Sequence, residues 1–105
     1  MKRLIMPNYY KEVAYFDPIE AAIKVVDILK NKEKCDFIVC LSHLGIEAEF
    51  TGDITDRDIA EQVPGLDFII GGHNHLFLEE PVIVNHTKIL QARKNGIYIG
   101  KLTIL

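Results

Sequence analysis

Hydrophobic residues along the chain fall into runs of different period, and each run predicts a different element. Between Asp17 and Lys34, the apolar residues Ile19, Ala22, Ile23, Val26 and Leu29 recur at helical spacing, while Glu20, Lys24, Asp27 and Asn31 fall elsewhere. Asp17 before Pro18, with Glu20 three positions after the cap, marks the start. The carboxylate accepts a free amide, proline's fixed φ suits the first turn, and the Glu reaches back to the cap. The charged stretch from Lys30 to Lys34 closes this helix. Phe37-Ile38-Val39-Cys40-Leu41 and Leu66-Asp67-Phe68-Ile69-Ile70 have the length and β-branched content of buried strands. The first is apolar at every position, which predicts a parallel strand covered by helices on both faces.

Between these strands, Ile46 to Ile54 is polar and acidic and predicts a loop. Thr55 then caps a short helix, with Asp56 and Asp58 in its first turn and Ile59, Ala60 and Val63 on its buried side; Pro64-Gly65 ends it. Val82 to Val84 and Lys88 to Leu90 flank Asn85-His86-Thr87 as a hairpin, with His86 in the turn and solvated. Asn95-Gly96 is a second turn, and the alternation from Ile97 to Leu105 predicts a terminal strand. Met1 to Phe16 carries aromatics without sustained periodicity and predicts irregular structure or a short edge strand.

With 105 residues the chain makes one small domain at most, and 49% apolar with 26% charged residues describes a folded protein. A net charge of −3 with dispersed Lys and Arg gives no footprint for a phosphate backbone, so no nucleic-acid partner is expected. No run reaches membrane-spanning length, and the opening Met-Lys-Arg-Leu-Ile-Met, cut short by Pro7, is no signal peptide; a soluble chain with no membrane partner is expected. Cys35 and Cys40 lie five apart in what reads as one strand, so they point to opposite faces and stay reduced in the core. Asn85-His86-Thr87 matches a glycosylation sequon, a frequent chance match.

The chemistry concentrates where the two apolar strands end. One runs into Ser42-His43-Leu44-Gly45 and the other into Gly71-Gly72-His73-Asn74-His75. The carboxyl edge of an open α/β sheet is where ligands bind. If the strands are neighbours, His43, His73 and His75 meet at one rim, and neutral imidazole suits zinc, iron, manganese or nickel. The two glycines allow backbone conformations a Cβ would forbid and leave room for close approach. Glu47, Glu49, Asp53 and Asp56 could add oxygens, although each also has a plain reading as a solvated loop or helix-start acid. Adjacent Ser42 and His43 are not arranged as nucleophile and base, and no Gly-x-Ser-x-Gly elbow or phosphate-cradling loop is present.

Four blocks carry a family resemblance: Asp17 to Ala22; Asp36 to Gly45; Val63 to His75; and Gln91-Ala92 followed by Tyr98-Ile99-Gly100-Lys101-Leu102. In this order and spacing the chain, from about Val13 onward, resembles the calcineurin-like metallophosphoesterases of the 5'-nucleotidase type. The resemblance implies a two-metal phosphoester hydrolase built as a β-sandwich with flanking helices and a mixed sheet. It implies divalent zinc, manganese or iron as cofactors, and a nucleotide or other phosphoester as substrate. By that analogy His43 and His73 are ligands of one metal and His75 of the other. Family members also carry an earlier Asp-x-His, Gly-Asp and Asn-His, which this chain lacks; Asn8 and Asp17 have the wrong neighbours. Arg93 stands where the family pattern commonly has Gly. The expectation is therefore an α/β half-domain over residues 1–105, the C-terminal half of a catalytic domain, with three metal-binding histidines and no catalytic residue of its own. Such a chain should bind metal weakly and be inactive alone. A non-catalytic interaction or regulatory module, or an excised piece without independent function, are the alternatives. A missing half would leave a sheet edge bare and favour a homodimer. Related 5'-nucleotidases are often periplasmic, secreted or at the cell surface, and nothing in the chain fixes its compartment.

Overall fold

The computed structural model describes residues 17–104. Helix α1 spans Pro18–Asp27 and runs on into a π-helical turn, Ile28–Lys32; β1 (Val39–Leu41), α2 (Asp56–Gln62), β2 (Phe68–Ile70), β3 (Val82–Val84) and β4 (Thr87–Leu90) follow. The strands form one mixed sheet in the order β1-β2-β4-β3, parallel from β1 to β4, with β3 antiparallel to β4. The α/β class and the mixed sheet are those the sequence predicts.

Local chemistry sets the boundaries. Asp17 accepts the Ile19 amide at 2.8 Å, with Pro18 as the first helical residue. After the π-turn, the chain leaves the helix through Lys34 at φ 58°. At the start of α2 the Thr55 hydroxyl accepts the Asp58 amide while the Asp58 carboxylate accepts the Thr55 amide at 2.8 Å, a reciprocal cap with Asp in the place usually taken by Glu. Asn85, at φ 54°, turns β3 into β4, and His86 beside it is exposed. Asn95 and Gly96 both take positive φ, as their turn requires.

The core lies between the helices and one face of the sheet. Ile69 and Ile89 are register partners at the centre of β2 and β4, and both are completely buried. Val26 of α1, Ile59 and Ala60 of α2, and Ile38, Ile46, Val63 and Leu66 close around them.

The opposite face is bare among the described residues, which corrects the expectation of helices on both sides. Val39, Phe68 and Lys88 form one register row, and Leu41, Ile70 and Leu90 form the next. Leu41 is 80% exposed, and Phe37, Val39 and Ile70 are exposed beside it. An all-apolar run requires two cover layers, but β1 is an edge strand and the helices reach only one side of it. The cysteines also differ from expectation. Cys35 precedes β1 and is exposed, whereas Cys40 within β1 is half-buried, so they do not share a strand. Ile97 to Ile104 forms no strand: Ile97, Ile99, Leu102 and Ile104 are exposed, because alternation needs a partner edge and this segment pairs with neither β1 nor β3. Tyr98 stacks instead on Phe77, ring centroids 4.0 Å apart. The expectation for Met1 to Phe16 lies outside the described residues.

Ile69→Ala should cost about 2–5 kcal/mol, since it empties a fully enclosed site, while Ile99→Ala should stay within about 0.5 kcal/mol. Urea unfolding of the two variants beside the parent chain separates these outcomes.

Candidate functional site

β1 and β2 are parallel neighbours with Leu41 opposite Ile70, and the Ser42 amide donates to the Ile70 carbonyl at 2.9 Å. The segments after both strands therefore leave the sheet side by side at its carboxyl edge. His43 follows the first and His73 the second; their rings meet edge to face, 5.3 Å between centroids and 74° between planes. Glu49 brings a carboxylate oxygen to 3.4 Å from His73 Nε2. Asn74, between the two turn histidines, accepts the Glu47 amide at 3.0 Å and donates to the Glu47 carbonyl at 3.2 Å, pinning the acidic loop to the histidine turn.

The structure divides the work of the turn differently from the sequence expectation. Gly71 and Gly72 do not take positive φ; His73 (φ 73°) and His75 (φ 59°) do. The glycines are needed for space. A Cβ at Gly71 would overlap Asp56 Oδ2, and one at Gly72 would sit 3.2 Å from His43 Nδ1. Left-handed backbone at a residue bearing a Cβ costs roughly 1–2 kcal/mol, so the turn stores strain at both histidines.

His43 and His73 are thus brought together. His75 lies on the same turn and is exposed. Among the described residues no group of three or more His, Cys, Asp or Glu side chains is gathered closely enough to hold a metal ion. Of the four acids proposed as oxygen donors, Glu49 faces His73. Glu47 is held through its backbone, and Asp53 accepts the Phe50 amide at 3.0 Å within the loop.

Asp56 is not the solvated helix-start acid that a first-turn position suggests. It is completely buried, and its Oδ1 accepts a hydrogen bond from the Ser42 hydroxyl. Burial pushes its carboxyl up from the usual aspartate range, while the Ser42 hydrogen bond and the nearby His43 pull it back down. The Cys40 thiol is pushed up by burial and by the charge of Asp56. Gln91, just after β4, is also buried, and neither atom of its side-chain amide has a hydrogen-bond partner among the described residues. A sequence signal for Asp56 did exist. It stands three, four and seven residues before Ile59, Ala60 and Val63, on the same helical face as those buried positions.

No protein-family model matches the chain. Curated proteins do. The chain is 30% identical to the trifunctional nucleotide phosphoesterase YfkN of Bacillus subtilis over 90% of its own length and 6% of that protein's. It is 40% identical to the uncharacterized metallophosphoesterase YunD of the same organism, over 73% of this chain and 15% of that one. With the 5'-nucleotidase of Vibrio cholerae it shares 32% identity over 90% of this chain and 21% of that protein. It therefore spans about a fifth or less of the length of these relatives.

Two outcomes follow from the site's strain and burial. His75→Gly should be more stable than His75→Ala by about 1 kcal/mol in urea unfolding, because only glycine relieves the left-handed conformation. For Asp56 the folded pKa is raised, so its stabilising contribution is complete below the unfolded pKa and declines as pH rises through the folded value. Asp56→Asn keeps an acceptor for Ser42 but does not titrate. The urea midpoint of the parent chain should fall relative to this variant as pH rises from the acid side toward neutrality.

Proposed function

Because the chain belongs to the metallophosphoesterases of the 5'-nucleotidase type, we propose that it is the part of a metal-dependent phosphoester hydrolase that supplies imidazole ligands, His43, His73 and His75, from the carboxyl edge of its sheet. The observation that carries this reading is the edge-to-face pairing of His43 with His73 at the ends of neighbouring parallel strands. The donor chemistry fits a divalent cation of the zinc, manganese or iron type. The donor number among the described residues falls short of a closed site. His43, His73 and His75 would hold such a cation, whose chemistry there would be Lewis-acid stabilisation of charge on a phosphoester. The residues of this chain orient and hold: Asn74 ties the histidine turn to the acidic loop, and Glu49 offers His73 a carboxylate.

A nucleotide or similar phosphoester is the substrate class this reading assigns, supported by the likeness to a nucleotide phosphoesterase and a 5'-nucleotidase. His43, His73 and His75 bind rather than react, and the chain by itself is not a complete catalyst. Isothermal titration of the full chain with zinc or manganese should show weak binding that is lost in His73→Ala, with no hydrolysis of nucleoside monophosphates above background. Tight one-to-one zinc binding indifferent to His73→Ala would move the metal elsewhere, and metal-dependent turnover abolished by His73→Ala would show the chain to be self-sufficient.

A second reading, an interaction module without the reaction, draws on the bare rows Val39, Phe68 and Leu41, Ile70. Exposed apolar sheet faces and unpaired edges promote association. Under this reading two copies bury these rows against each other. Sedimentation across a dilution series should then show mass rising with concentration, whereas a monomer throughout would remove the dimer.

A further inference from the structure

We propose that Asp56, acting through Ser42, is a positioning residue that holds the His43 turn in register with the His73 turn. Its carboxylate and its own amide grip the same segment from two points. Oδ1 accepts the Ser42 hydroxyl, and the Asp56 amide donates to the Gly45 carbonyl at 2.7 Å. The Ser42 oxygen in turn accepts the Leu44 amide at 3.1 Å, so one hydroxyl is bonded on both sides of His43 in sequence. The other carboxylate oxygen, Oδ2, lies against Gly71 at the base of the second turn, where a Cβ would overlap it unless one of them moved. The carboxylate is therefore wedged between the two histidine-bearing segments. The reciprocal Thr55–Asp58 cap fixes its own helix end, and Gln91 lies close to Gly71 from the β4 side, its Oε1 3.5 Å from where a Cβ on Gly71 would stand.

Stability does not account for this arrangement. Asp56 is fully buried with Oδ2 unpartnered, and Gln91 beside it has two unpartnered atoms among the described residues. Burial of that kind is unfavourable, and an apolar residue on the inner face of α2 would avoid it. What the carboxylate adds is a short, directional connection from a rigid helix to a loop that otherwise carries an exposed imidazole. The carboxylate acts on His43 by fixing the backbone on either side of it.

The inference rests on the metal-centre reading only for its affinity measurement; the geometric measurement stands apart. Proton NMR of the full chain should show cross-relaxation between the His43 and His73 ring protons. Ser42→Ala and Asp56→Ala should lose it while the dispersed amide spectrum of the sheet and helices persists. Ser42→Thr, which keeps the hydroxyl, and Asp56→Asn, which keeps the acceptor, should retain it. Zinc affinity should fall about 10- to 100-fold in the two alanine variants and recover in the conservative pair, the range seen when supports of a metal ligand are removed. Ring contacts that survive both alanine variants, conservative variants that fail as badly as alanine, or alanine variants that simply unfold would each overturn the positioning role. A parent chain that shows the ring contact and its loss but binds no zinc would sink the metal-centre reading and leave the positioning role supported.

Discussion

Everything in the candidate site depends on the parallel pairing of β1 with β2. Parallel strands run in one direction, so their carboxyl ends reach the same edge. The register that sets Leu41 opposite Ile70 also sets the residues after them side by side. A slip of one residue would turn every side chain of β1 to the other face, taking Ile38 out of the core and moving His43 away from His73. The register is held from both ends. The Asp67 carboxylate accepts the Ile38 amide at 2.9 Å on the near side, and the Ser42 amide donates to the Ile70 carbonyl on the far side.

The rim of the sheet carries costs that its centre offsets. Two left-handed histidines, a buried carboxylate and a buried amide lie within a few residues of the sheet's edge, each unfavourable alone. The centre, with Ile69 and Ile89 sealed beneath α1 and α2, is ordinary well-covered hydrophobic packing. The centre is thus ordered by packing, while the strained histidines and the buried polar groups gather at the rim.

The bare face follows from the alternation of side chains along each strand. A sheet with one helical layer buries one set of alternating residues and leaves the other set in water. On this sheet the second set includes the exposed Val39, Leu41 and Ile70, with Phe68 half-buried among them. Among the described residues no second layer lies over them.

The sequence by itself determined what local chemistry controls. Asp17-Pro18 and Thr55 with Asp58 fix helix starts through side chains that reach only a few residues, and Asn85 and Asn95-Gly96 fix turns through their tolerance of positive φ. The strand ends that deliver His43 and His73 were legible for the same reason, as apolar runs broken by polar or glycine residues. Tertiary structure decided the rest. Whether Ile97 to Ile104 becomes a strand depends on its reaching a sheet edge, and it pairs with neither β1 nor β3, although the alternation is sound. Whether an all-apolar β1 is covered twice depends on where the helices land. Within the turn, sequence favours glycine for left-handed backbone, yet contact with Asp56 and His43 claims both glycines for room and transfers the strain to His73 and His75. Asp56 itself shows the boundary: its spacing from Ile59, Ala60 and Val63 marks the inner face of α2, but only the fold brings Ser42 and Gly71 against it and turns a helix-start acid into a buried wedge.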